Sequence, residues 1–183
     1  MAQPDRLSIT LIGPGGAGKT TVGALLAERL RIAFVDLDYL FADRAADISE
    51  YITRFGYAAY ARKNVQTYGS LADDQQQAYV VAVSSGFMTY PRNIHPEYPR
   101  LRQAVAQSPT TFVLIPSVDR ELCVAETVRR QLTRPFARPS AREEAVIRHR
   151  FPIYVGLSAR KIETMRPLTA VVDALLTSVR ALV

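Results

Sequence analysis

The sequence predicts a three-layer α/β domain built on a five-stranded, mostly parallel sheet. Strand-like and helix-like segments alternate five times along the chain, the order that lays right-handed crossovers onto one sheet. One strand-like run, Ala78-Tyr79-Val80-Val81-Ala82-Val83, is apolar without interruption, as a strand covered on both faces must be. With 183 residues, 48% of them apolar and 22% charged, a single domain over 1–183 can bury roughly 70% of its extended surface.

Taken in order, Ser8 to Ile12 alternates and stops at glycines, which reads as the first strand. Val22, Leu25, Leu26 and Leu30 share one face of a helix from Lys19 to about Arg31. Ala33 to Val35 is a short second strand ending at Asp36. Leu37 to about Ala46, Ile48 to Arg54 and Tyr57 to Leu71 read as three helices. Thr110 to Ile115 makes a fourth strand, halted by Pro116. Asp119 to about Gln131 is expected to be helical, and so is Arg142 to His149, which Phe151-Pro152 should break. Ser158 to Glu163 is the candidate fifth strand. In the closing helix, Leu168 to Leu182, Val171, Val172, Leu175, Leu176 and Val179 line up on one side. Tyr90 to Pro99 holds three prolines and Leu132 to Pro139 two, so both are expected to be loops.

Composition narrows the function. The single cysteine, Cys123, excludes an internal disulfide, no apolar stretch approaches the ~18 residues a bilayer crossing needs, and the first six residues lack a signal-peptide core. A cytoplasmic protein, monomeric and without a membrane partner, is expected. Net charge is +6, carried by three lysines and twenty arginines. Arginine's planar fork suits phosphate and carboxylate. The arginines are scattered and no aromatic-basic motif accompanies them, so anionic small molecules are favoured over nucleic acid as partners. His95 and His149 have no metal-ligand spacing.

The strongest chemical signal is Gly13-Pro14-Gly15-Gly16-Ala17-Gly18-Lys19-Thr20, a Walker A pattern between a strand and an amphipathic helix. Glycines let backbone N–H groups converge on a phosphate, and the helix start adds its positive dipole end. Gly15, Gly16, Ala17, Gly18, Lys19, Thr20 and Thr21 are the candidate nucleotide contacts. Lys19 would reach the β- and γ-phosphates and the Thr20 hydroxyl would hold Mg²⁺. The plain alternative is a glycine-rich turn with no ligand.

Around that cradle the chain resembles the shikimate kinases, small members of the nucleoside-monophosphate-kinase-like group. Leu11-Ile12-Gly13, Ala17-Gly18-Lys19-Thr20-Thr21-Val22-Gly23 and Leu25-Leu26-Ala27-Glu28-Arg29-Leu30 follow the family's opening. Phe34-Val35-Asp36-Leu37-Asp38, Arg134-Pro135-Phe136, Arg150-Phe151-Pro152-Ile153-Tyr154 and Glu163-Thr164-Met165-Arg166-Pro167 follow in the right order. The resemblance implies a P-loop kinase fold with a small lid at about 130–142 and a substrate-binding helical segment at about 37–72. It implies transfer of the γ-phosphate of ATP, with Mg²⁺, to a hydroxyl of shikimate or a similar small anionic polyol. It further implies Lys19, Asp38 and Arg134 as catalytic residues, with Thr20 and Asp36 toward the metal and Arg130 and Arg166 around the nucleotide base. Asp38, Gly86 and Arg150 fall to the substrate. From residues alone, Asp36 and Asp38 could equally be a solvated pair capping the next helix.

Departures fall in the substrate half. The family's Gly-Glu-x-x-Phe-Arg-x-x-Glu is here Gly56-Tyr57-Ala58-Ala59-Tyr60-Ala61-Arg62-Lys63-Asn64. Ala61 stands where the family carries a substrate-carboxylate arginine, and Asn64 replaces a glutamate. Arg62 lies ~100° around the helix and should not substitute. Three family glycines become Ser84-Ser85-Gly86, which would narrow the approach or offer new hydroxyls. Three other readings stay open: a kinase for a different small hydroxylated substrate, a nucleotide-binding protein that has lost catalysis and acts through a partner, and a nucleic-acid-directed P-loop protein.

Overall fold

The structure, a computed structural model, describes residues 8–74, 77–133 and 140–182. Five strands form one sheet in the order β2-β3-β1-β4-β5, with every neighbouring pair parallel. These are β1 (Ser8–Ile12), β2 (Ala33–Asp36), β3 (Tyr79–Ala82), β4 (Thr111–Ile115) and β5 (Arg160–Glu163). The helices are α1 (Lys19–Leu30), α2 (Leu37–Arg44), α3 (Ile48–Phe55), α4 (Tyr57–Asp74), α5 (Tyr98–Gln107), α6 (Arg120–Leu132), α7 (Ser140–Val155) and α8 (Leu168–Arg180). The α/β expectation holds, and the described sheet is wholly parallel.

Side chains alternate across each inner strand and feed two cores. Leu11, Val80, Phe112 and Leu114 join Val22, Leu26, Val171 and Leu175 from α1 and α8 on one face. Ile12, Val81 and Val113 join Leu37, Phe41, Val65 and Tyr98 from α2, α4 and α5 on the other. That two-sided burial is why β4 carries no polar residue beyond its first, Thr111. Gly23 in the middle of α1 has a steric reason: a Cβ there would lie 2.5 Å from the Phe34 ring and 3.1 Å from a Leu11 methyl. The ~1 kcal/mol that glycine costs a helix is offset by letting α1 lie flat on the sheet.

Register sets up the site. Asp36 on β2 and Leu11 on β1 both pair with Ala82 of β3, so three strands end level with one another. The residues just past that level, Gly13 onward, Leu37-Asp38 and Val83-Ser84, therefore meet at the carboxyl edge of the sheet, where open α/β sheets bind ligands.

Two sequence expectations need correction. Helix α7 does not break at Phe151-Pro152; it runs from Ser140 to Val155 with Pro152 inside it. A mid-helix proline costs ~3 kcal/mol, which the inward packing of Phe151 and Tyr154, 9% and 0% exposed, offsets. Tyr154 also donates to the Ser85 carbonyl at 2.8 Å. The segment Tyr90 to Pro99 is not all loop either, because α5 starts at Tyr98. Pro99 occupies its first turn, where a missing N–H costs no helical bond.

Candidate active site

The loop after β1 is shaped by three glycines at positive φ, Gly13 at 149°, Gly16 at 77° and Gly18 at 89°. Gly18 is the N-cap of α1, no side chain caps the helix start, and no acidic residue occupies the first turn. The first-turn amides therefore point a partial positive charge into the loop, with no acidic residue of the helix's own first turn to answer it. Lys19 Nζ donates to the Gly13 and Pro14 carbonyls at 2.9 and 3.1 Å, folded across the same loop. A cavity of about 110 Å³ runs from Gly15, Lys19 and Thr20 past Asp36 and Asp38 to Ser85.

Of the aspartate pair, Asp36 caps the next helix. Asp36 Oδ1 caps α2, accepting from the Asp38 and Tyr39 amides at 2.9 and 3.4 Å. Its other oxygen accepts from Thr20 Oγ1 at 2.6 Å. Capping thus fixes the carboxylate so that it converges with the Thr20 hydroxyl, a pair of hard oxygens of the kind Mg²⁺ takes. Asp38, in the first turn of α2, lines the cavity and accepts from Ser84 Oγ at 2.5 Å.

A second pocket, about 250 Å³, adjoins the start of α1 and gathers Ala17, Thr21, Arg130, Thr164 and Arg166. Arg130 is held rigidly in its wall. Its NH1 donates to the Gly16 carbonyl at 3.2 Å and to Thr164 Oγ1 at 3.0 Å, its NH2 to the Thr164 carbonyl at 2.9 Å, and its Nε to Glu126 at 2.6 Å. Thr164 is the partner that sequence reasoning missed at this position. Hydrogen bonds from Arg129, and then from Arg130, hold the Glu126 carboxyl down at about 2. A depressed folded-state value stabilises the protein above the usual carboxylate range and loses that contribution as pH falls. Glu126→Gln is therefore expected to unfold more readily than the parent at pH 7. In acid melts the difference should shrink between pH ~4.5 and ~2.

At the Ser85 end of the cavity, Arg150 NH1 donates to Ser85 Oγ at 3.2 Å and NH2 to the Tyr57 hydroxyl at 3.4 Å. Gly86 lies against both: a Cβ there would meet the Tyr57 hydroxyl at 2.6 Å and Arg150 NH2 at 3.2 Å. Ala61 is fully buried, and Arg62 Nε turns away to the Ile94 carbonyl at 3.3 Å. No second arginine joins Arg150 among the described residues of this wall. Tyr60 stands close enough to Asp38 to feel its charge; burial first, and then that carboxylate, push the phenol up, so it stays protonated. Arg134 and the middle of the expected lid lie outside the described residues, and the flanks on either side belong to α6 and α7. Among the described residues, no helix is long and apolar enough to cross a membrane, and no group of three or more His, Cys, Asp or Glu could hold a metal.

The chain is similar to known proteins over most of its length. The shikimate kinase family model matches residues 15–180. The chain belongs to the shikimate kinase family. It is 31% identical over 161 residues to the shikimate kinase of Legionella pneumophila strain Corby, covering 86% of this chain and 85% of that one. The Stenotrophomonas maltophilia enzyme is 30% identical over 167 residues, covering 89% and 85%. Among solved structures, shikimate kinase from Acinetobacter baumannii in complex with shikimate superposes with a TM-score of 0.72 at 25% identity, over 97% of this chain and 93% of that one. As a member of the shikimate kinase family, the chain is a phosphotransferase with an alcohol acceptor, built on a P-loop that binds nucleotide.

Proposed function

We propose that this protein transfers the γ-phosphoryl group of ATP to a hydroxyl of shikimate or a closely related small hydroxy acid. The observation that carries this reading is the single cleft in which Lys19, Thr20, Asp36 and Asp38 meet, with Ser85 joining it to Arg150. Binding begins with the bare amides from Gly15 into α1, which receive the phosphates, while Arg130, Thr164 and Arg166 enclose the base. Thr20 and Asp36 would hold Mg²⁺, which supplies charge neutralisation to the phosphate oxygens when bound. Lys19 exchanges its loop carbonyls for phosphate oxygens and offsets the charge that develops in transfer. Asp38 accepts hydrogen bonds from the acceptor, orients the attacking hydroxyl and takes its proton. Arg134, on the family resemblance alone, would be the arginine that stabilises charge on the terminal phosphate. Arg150, with its fork held between Ser85 and Tyr57, receives the acceptor's carboxylate.

The test is ADP release with Mg²⁺ across a panel of small hydroxy acids that includes shikimate. Turnover dependent on one of these acids supports the reading; ATP binding without turnover on any of them favours the catalysis-free alternative. Arg150→Ala should raise KM for the acid by roughly ten- to a hundredfold, the loss of one charged fork, and leave KM for ATP unchanged. A specific observation favours a second reading within the same chemistry. With Ala61 sealed in the core and Arg62 bonded elsewhere, Arg150 alone among the described residues of that wall is left to serve the carboxylate, so an acid other than shikimate turning over faster in the panel is its expected signature.

A further inference from the structure

Behind Asp38 a line of side chains crosses from α4 to the edge of the sheet. Tyr90 donates its hydroxyl to Asn64 Oδ1 at 3.2 Å, Asn64 Nδ2 donates to Ser84 Oγ at 2.9 Å, and Ser84 donates to Asp38 Oδ1 at 2.5 Å. Asn64, Ser84 and Tyr90 are 0%, 3% and 5% exposed, so water does not compete for these bonds. The line has one direction. The Tyr90 hydroxyl is the donor to the carbonyl end of the Asn64 amide. The NH₂ end must then face Ser84. A hydroxyl has one proton, and with a donor already directed at its oxygen, Ser84 turns that proton on Asp38.

We infer that Ser84, aligned by Asn64 and Tyr90, is the positioning residue that sets the direction in which Asp38 presents its carboxylate to the acceptor. This rests on the reading of Asp38 as the group that meets the acceptor hydroxyl. The two residues depend on each other. An ionised glutamate at 64, the residue of the family pattern this chain resembles, offers only acceptors and would draw the Ser84 proton away from Asp38. A glycine at 84 would leave the Asn64 NH₂ buried with no partner there. Asparagine at 64 and serine at 84 form a matched set, and Ser84 stays out of the cleft lining that its half-buried neighbour Ser85 joins.

The experiment compares wild type, Ser84→Ala, Ser84→Thr and Asn64→Asp, with thermal melts to confirm folding. Ser84→Ala should lower kcat for acceptor phosphorylation about tenfold, the loss of one charge-assisted bond in the reacting geometry. KM for ATP should stay within about twofold, because nothing in the phosphate loop is touched. Ser84→Thr, which keeps the hydroxyl, should recover most of the rate, and Asn64→Asp should lose at least as much as Ser84→Ala. Wild-type kcat in Ser84→Ala, or equal losses in the alanine and threonine variants, overturns the inference. A crystal structure of Ser84→Ala gives a readout that needs no turnover: the Asp38 carboxylate should rotate from its wild-type direction, and an unmoved carboxylate contradicts the proposal. If wild type turns over no acid, the functional reading fails while the crystal comparison still decides whether Ser84 positions Asp38.

Discussion

Lys19→Ala is expected to lower kcat/KM by about two to three orders of magnitude while the protein stays folded, the scale seen when one preorganised charge-stabilising donor is removed. The ammonium spans the Gly13 and Pro14 carbonyls, both acceptors that also carry the loop backbone toward the phosphates. Its loss removes a charge from the site of transfer and a clasp from the loop. The two effects separate in the kinetics: charge loss appears in kcat, loop loosening in the affinity for nucleotide. Lys19→Arg should not rescue, because a planar fork cannot deliver a point charge through the space a lysine occupies. Steady-state ADP release with calorimetric nucleotide titration checks both parts.

Asp38→Asn should cost about two to four orders of magnitude in kcat with KM for ATP little changed, the range expected for removal of a positioned general base. The amide is isosteric but takes no proton, and it also disturbs the buried line behind it. If its NH₂ faces Ser84, two donors oppose each other; if its oxygen does, the bond survives but is no longer charge-assisted. The loss should therefore exceed that of Ser84→Ala in the same assay. Losses of equal size would mean that Asp38 acts only through its bond to Ser84.

The phosphate half of the site is legible in the sequence because its residues are local. Gly16, Gly18, Lys19 and Thr20 lie within five consecutive positions, and Asp36 and Asp38 sit where a short strand gives way to a helix. The strand ends that bring them together follow from the register with Ala82. The acceptor half is less legible because its contacts join residues far apart in the chain. Ser84 and Ser85 look alike as neighbours, yet one is buried against Asp38 and Asn64 and the other bonds Arg150 on α7. The Asn64 change and the Ser84 change are twenty positions apart, and their pairing across α4 and β3 is a tertiary fact. Pro152 misled for the same reason: the packing of Phe151 and Tyr154 outweighs a local rule.

The most direct test of phosphoryl transfer in this cleft is phosphorus NMR of the purified protein with ATP, Mg²⁺ and shikimate. A new phosphomonoester resonance growing in step with ADP, and absent for Lys19→Ala, is the predicted result. ATP that stays intact, or gives only inorganic phosphate with shikimate and every related hydroxy acid, would contradict it.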